Sequence, residues 1–105
     1  RHFLLKVDGI PVACARWRMT EEHFVKIERC AVQSAYRGKG WGEKIVRHLI
    51  LDILKQVDEP DIYLHSQEKA VPFYKRIGFF TVGEPFEEAG ITHYKMYLSL
   101  DLFYK

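Results

Sequence analysis

Long apolar runs are missing from this chain. The longest, such as Leu49-Ile50-Leu51, fall far short of the ~20 residues a membrane-spanning helix needs, so no membrane partner is expected. No signal peptide is visible, and the expected location is cytoplasmic. Charge of one sign is missing too. Sixteen basic against fourteen acidic residues leave a net charge of +2 without a block of like charges, which argues against nucleic acid or an anionic membrane as the main partner. Cysteine is scarce. Cys14 and Cys30 stand apart in apolar segments without C-x-x-C spacing and read as reduced core residues, with a disulfide between neighbouring strands as the lesser alternative. The five histidines lack the spacing of a metal cluster, so no metal is expected. At 105 residues, 48% hydrophobic and 14% aromatic, the chain can build one small core but not two; 1–105 reads as a single domain.

What is present is Arg37-Gly38-Lys39-Gly40-Trp41-Gly42, set between a strand-like segment (25–32) and an amphipathic helix (41–57). Glycines at alternate positions let the backbone turn tightly, so that successive N–H groups converge on one anion, and the following helix adds the positive end of its dipole. Neither the dinucleotide fingerprint G-x-G-x-x-G nor the P-loop G-x-x-x-x-G-K-[ST] fits this spacing.

Around the loop, residues 3–7 and 10–18 flank Asp8-Gly9 and read as a β-hairpin. A polar connection (19–23) leads to a third strand, with Lys26, Glu28 and Cys30 on one face and Val25, Ile27, Arg29 and Ala31 on the other. Trp41, Ile45, Leu49, Ile53 and Val57, flanked by Val46, Ile50 and Leu54, give the helix a broad apolar face. Ile62-Tyr63-Leu64 is a short buried-type strand. A second helix follows, with Pro72 in its first turn and Gly78 as its stop. Strand 79–82, loop 83–90 and strand 93–100 complete the order βββαβαββ, an α+β chain with a mixed sheet that carries helices.

The loop resembles the pyrophosphate arm of the GNAT superfamily of N-acetyltransferases, whose pattern Gln/Arg-x-x-Gly-x-Gly/Ala is met by Arg37, Gly40 and Gly42. Ala70-Val71-Pro72-Phe73-Tyr74-Lys75-Arg76-Ile77-Gly78-Phe79 resembles that superfamily's late helix and the strand after it. The ElaA-like branch is suggested by Ala15-Arg16-Trp17-Arg18, Glu28-Arg29, residues 67–74 and Glu87-Glu88-Ala89-Gly90-Ile91-Thr92-His93. The resemblance implies the GNAT acyl-CoA N-acyltransferase fold, a mostly antiparallel mixed sheet with a central splayed parallel pair and helices on both faces. It also implies a strand and one or two helices ahead of Arg1; since the chain begins with arginine and enters a strand at once, a fragment of a longer protein is expected.

By the same resemblance, acetyl-CoA is the co-substrate and an amine the acceptor, with direct transfer in a ternary complex. The strands ending near Val32 and Leu64 would splay around the cofactor. Cys30, Ala31 and Val32 would pair with pantetheine, Arg37, Gly38, Lys39, Gly40, Trp41 and Gly42 would hold the phosphates, and Gln67, Ala70, Phe73 and Tyr74 would complete the cofactor contacts. The bland reading of Arg37 and Lys39 is a solvated loop face. Tyr74 is the candidate general acid: a thiol of pKa about 8.5 leaves, and a phenol of pKa about 10 can protonate it at modest cost. Its alternative is packing alone. Glu28 is the candidate base for the ammonium, although some relatives carry that glutamate where this chain has Lys26. A salt bridge with Arg16, Arg18 or Arg29 is the competing reading, and a water chain could serve instead. Of the histidines, His2 and His48 are expected to be exposed, and His65 could touch the site. Glu87, Glu88 and His93 are candidate contacts for a cationic acceptor, against a solvated acidic loop. The rival functions are a non-catalytic acyl-CoA sensor or scaffold and a nucleotide-phosphate binder; oligomeric state is open between monomer and homodimer.

Overall fold

Asp8 and Gly9 take φ angles of 51° and 80°, the turn geometry that matches strand twist, and fold β1 (His2–Val7) antiparallel onto β2 (Ile10–Glu21). The computed structural model describes Arg1–Lys105 as two compact units, Arg1–Pro60 and Asp61–Lys105.

In the first unit, β2 continues past residue 18 to Glu21 and pairs antiparallel with β3 (Phe24–Val32). The polar connection expected over 19–23 is therefore largely strand, because Arg18 and Met19 find ladder partners in Lys26 and Val25. Side chains alternate along β2: Ala13, Ala15 and Trp17 are buried, while Cys14, Arg16 and Arg18 point the other way. The buried face meets α1 (Trp41–Gln56), whose Ile45, Val46, Leu49, Ile50 and Ile53 are buried as their spacing predicts. Each such aliphatic contributes about 1.5–3 kcal/mol on burial. Trp17 Nε1 donates to Asp52 Oδ2 at 2.9 Å, satisfying the one polar atom this ring brings to the core.

Two expectations fail on this ribbon. The cysteines are not core residues: Cys14 lies on the face away from α1 and is exposed, Cys30 is half-buried, and neither forms a disulfide. The regular alternation predicted for β3 also breaks. Arg29 takes φ 59°, and since Arg16 faces Glu28 while Cys14 faces Ala31, Arg29 and Cys30 together oppose the single Ala15. That two-against-one pairing is a β-bulge, which bends the strand just before its end.

In the second unit, β4 (Asp61–Gln67) pairs antiparallel with β6 (Ile91–Leu98), which pairs antiparallel with β5 (Phe79–Glu88). The helix α2 (Val71–Ile77) starts with Pro72 in its first turn and stops at Gly78, as predicted. Ile62, Leu64, Ile77, Phe79, Met96 and Phe103 form the buried apolar set. The loop expected over 83–90 is instead strand as far as Glu88, followed by the Ala89-Gly90 turn; a register shift between Val82 and Phe86 absorbs Gly83 and Pro85. The last strand ends at Leu98 rather than residue 100. Ser99 Oγ then accepts from Leu102 N and caps a short helix, α3 (Leu100–Phe103), that the apolar pattern did not predict. No helix is long and apolar enough to cross a membrane.

Candidate active site

Beyond β3 a single 3-10 turn, Ser34–Tyr36, delivers the chain to the glycine loop. Gly38 and Gly40 both adopt left-handed φ, 78° and 82°, and a Cβ on either would meet nothing within 4 Å. Gly40 is the N-cap of α1 and offers no side chain to its first N–H groups. The start of a 16-residue helix is thus left open to an anion from solvent. Arg37 Nε donates to the Val32 carbonyl at 3.2 Å, fastening the loop to the end of β3. Lys39 is exposed.

Two further cations stand beside the loop that the sequence reading passed over. An open depression of about 520 Å³ is lined by Gly40, Glu43, Lys44, Arg47 and His48, among others. Lys44 Nζ lies 5.3 Å from the centroid of the Trp41 ring, and Arg47 Nε is 2.9 Å from Glu43 Oε2. Arg47 thereby offsets the carboxylate in the first helical turn that would otherwise repel a phosphate. The signal was available, since Lys44 and Arg47 fall four and seven positions after Gly40 in the sequence, on the helix flank above it.

On the face of the β2–β3 ribbon away from α1, Glu28 accepts from two guanidiniums through one oxygen. Arg16 Nη2 lies 2.5 Å and Arg18 Nε 2.9 Å from Oε1, with Lys26 Nζ 3.8 Å from Oε2. Partial burial pushes the Glu28 carboxyl up, but hydrogen bonds and charge from Arg18 and Arg16 outweigh it and hold the group below its ordinary value. The predicted salt bridge therefore exists with Arg16 and Arg18, while Arg29 sits at the bulge, exposed.

In the second unit, Tyr74 is half-buried, its ring edge-on to Phe73 at 5.0 Å and to Phe79 at 5.7 Å. Gln67, Ala70 and Phe73 are half-buried around the turn from β4 into α2. Glu88 and His93 do come together, and His65 joins them: Glu88 Oε1 is 3.5 Å from His65 Nδ1, and Oε2 is 3.7 Å from His93 Nε2. His93 is buried, and its Nδ1 pairs with the Ile91 carbonyl at 2.8 Å. Glu87, next to Glu88 on β5, projects to the other face by strand alternation and does not join this group.

A family model for the acetyltransferase (GNAT) domain matches residues 1–100. The chain belongs to the GNAT acetyltransferase family. This GNAT chain is 36% identical to the uncharacterized N-acetyltransferase YjcF of Bacillus subtilis (strain 168) over 90% of its length and 67% of YjcF. It is 31% identical to Protein ElaA of Escherichia coli (strain K12), over 91% of the chain and 64% of ElaA. The crystal structure of Escherichia coli ElaA superposes with a TM-score of 0.85 over 93% of this chain and 67% of that one, at 28% identity. Arabidopsis thaliana Naa50, solved in complex with the bisubstrate analogue CoA-Ac-MVNAL, is 27% identical with a TM-score of 0.74, covering 93% of this chain and 72% of that one. The GNAT acyl-CoA N-acyltransferase fold and the likeness to ElaA are as the sequence motifs implied. The chain spans 64% of the length of curated relatives such as ElaA.

Proposed function

We propose that this chain is an acetyl-CoA-dependent N-acetyltransferase that binds donor and amine together and transfers the acetyl group directly, as one domain over 1–105. The observation that carries the reading is the helix start at Gly40: two left-handed glycines with open space where side chains would be, and no side-chain cap on the N–H groups behind them. Those N–H groups would take the pyrophosphate, with Gly42 keeping the first turn slim and Lys39, Lys44 and Arg47 supplying charge. Trp41 would flank the phosphates, and Cys30, Ala31 and Val32, at the bulged end of β3, would present backbone groups to pantetheine. Gln67, Ala70 and Phe73 would line the cofactor near Tyr74. A bisubstrate analogue held by Naa50 supports donor and acceptor sharing one site in this fold.

In the reaction, the acceptor amine attacks the thioester carbonyl, the C–S bond breaks, and the departing sulfur takes a proton. Tyr74 is the proposed donor of that proton, its ring held by Phe73 and Phe79; a phenol in general, with a pKa of about 10, can protonate a thiolate at modest cost. Glu28 is the proposed base for the ammonium. The guanidiniums keep it ionised wherever an amine can react but also lower its proton affinity, so it works best through a water that carries the proton onward. Glu88 and His93 would face a cationic acceptor, with Glu87 a weaker contact. No metal has a role in this scheme.

Calorimetric titration with acetyl-CoA, with ATP and NAD as controls, tests the reading. Micromolar binding of acetyl-CoA alone is expected; absence of binding, or equal binding of ATP, would overturn it.

A further inference from the structure

We infer that the Arg16, Arg18 and Lys26 cluster is an anion subsite, and that the preferred acceptor is an amine carrying a carboxylate or phosphate a few bonds from its nitrogen. The inference deepens the acetyltransfer reading and rests on it for the word acceptor; the anion subsite itself does not.

Three cations share one carboxylate on the outer face of β2 and β3. Both guanidiniums converge on the same oxygen of Glu28, so a single negative charge is divided between them, and Lys26 at 3.8 Å is beyond hydrogen-bond distance. The group thus carries an excess of positive charge in a place where water screens it incompletely, since the side chains of Arg16, Lys26 and Glu28 are only 25%, 18% and 16% exposed. Arg16 Nε is buried and has no acceptor. A structural salt bridge needs one cation; three around one carboxylate, with a donor left over, is an arrangement that repels itself until a second anion arrives. Arg18, at 51% exposure, opens the cluster to solvent, and guanidiniums hold carboxylate and phosphate alike through paired N–H donors.

Glu28 Oε2 is the less occupied oxygen, with only Lys26 near it. An ammonium directed at Oε2 and an anionic group directed at the guanidiniums describe a zwitterionic acceptor, of the amino acid or aminoalkyl phosphate type. A simple alkylamine would meet the cations without compensation, and like-charge repulsion would disfavour it.

Two measurements test this. Nitrogen-15 NMR of the arginine Nε–H signals, assigned through Arg16→Lys and Arg18→Gln, is followed during titration with inorganic phosphate and with acetate against a chloride background. Saturable shifts of the Arg16 or Arg18 signals are expected, abolished in Arg18→Gln, whose exposed position spares the fold; the stronger anion tells phosphate from carboxylate. Anion binding at the α1 start cannot mimic this result, because the readout is local. Shifts that are absent, or no larger than with chloride, would overturn the subsite. The second measurement compares kcat/KM for tyrosine against tyramine and for O-phosphoethanolamine against ethanolamine. At least one anionic member should lead by about tenfold, with the lead lost in Lys26→Met combined with Arg18→Gln; equal values, or activity only on the amines that lack an anionic group, would overturn the acceptor assignment. Failure of acetyl-CoA to bind would reject the transfer reading while leaving the NMR result to stand or fall alone.

Discussion

Gly40 and Gly78 both hold a positive φ at the end of a helix, yet their surroundings are opposite. Beside Gly40, at the start of α1, a Cβ would find open space; beside Gly78, at the end of α2, it would lie 2.8 Å from Phe103 N and 3.0 Å from Phe103 Cα. The second glycine exists so that α3 can close on it, with Ser99 N donating to the Gly78 carbonyl across the same contact. The first has no such internal reason. On the proposed reading, the open space at this uncapped helix start is where the cofactor's phosphates would sit. The lesson is that a glycine's role is read from what a methyl group would strike, not from its φ alone.

The largest effect should come from Gly78→Ala. A side chain at φ 129° facing main-chain atoms forces α3 away, and strain with overpacking together should cost about 4 kcal/mol. Denaturant unfolding would check it. A cost below about 1 kcal/mol would break the contrast, because it would mean that the Gly78–Phe103 contact yields freely. Tyr74→Phe, in the same helix, keeps the ring packing against Phe73 and Phe79 and removes only the hydroxyl. Turnover should fall by roughly ten- to a thousandfold, with acetyl-CoA affinity little changed. Unchanged turnover would reject Tyr74 as the acid and leave its half-buried ring as packing.

Gly40→Ala should behave in the reverse manner. The left-handed conformation costs an alanine about 1–2 kcal/mol, but no atom blocks the methyl group, so the fold should survive. Acetyl-CoA affinity should drop about tenfold as the first turn of α1 shifts to relieve φ, a change calorimetry resolves. If affinity held while stability fell, Gly40 would belong with Gly78 as a purely structural glycine.

The features that announced themselves in the sequence are those whose physical cause is local. Asp8-Gly9 makes its own turn, the four-residue stripe from Ile45 to Ile53 makes its own face, and the glycine loop with the helix behind it is complete within a few residues. What stayed hidden depends on distant pairing. An arginine at φ 59° carries no turn signature, so the bulge at Arg29 is visible only against the register of β2. Gly83 and Pro85 look like loop residues because nothing nearby says that β6 will pair on either side of them. His65 meets Glu88 only because β4 and β5 both pair with β6, where Gln67 and Phe86 both register with His93. Charge partners of Glu28 were legible as a short set of candidates, since Arg16 and Arg18 share its strand face, whereas the share of the charge each takes was not.

The smallest effect separates charge from backbone altogether. Glu28→Gln touches neither glycine, so acetyl-CoA affinity should stay near the wild-type value while the pH dependence of stability changes. A carboxyl held below its ordinary value contributes stability that is complete above the unfolded pKa, about 4.5, and is lost as pH falls through the lower folded value. The melting temperature of the wild type should therefore exceed that of Glu28→Gln by a constant margin between about pH 5 and 7, and the margin should narrow as the medium is acidified below 4.5. Thermal scans of both proteins across that range decide the matter. A margin independent of pH down to 3 would mean that Arg16 and Arg18 gain nothing from the charge on Glu28, and that the three cations are held apart by solvent rather than by the carboxylate.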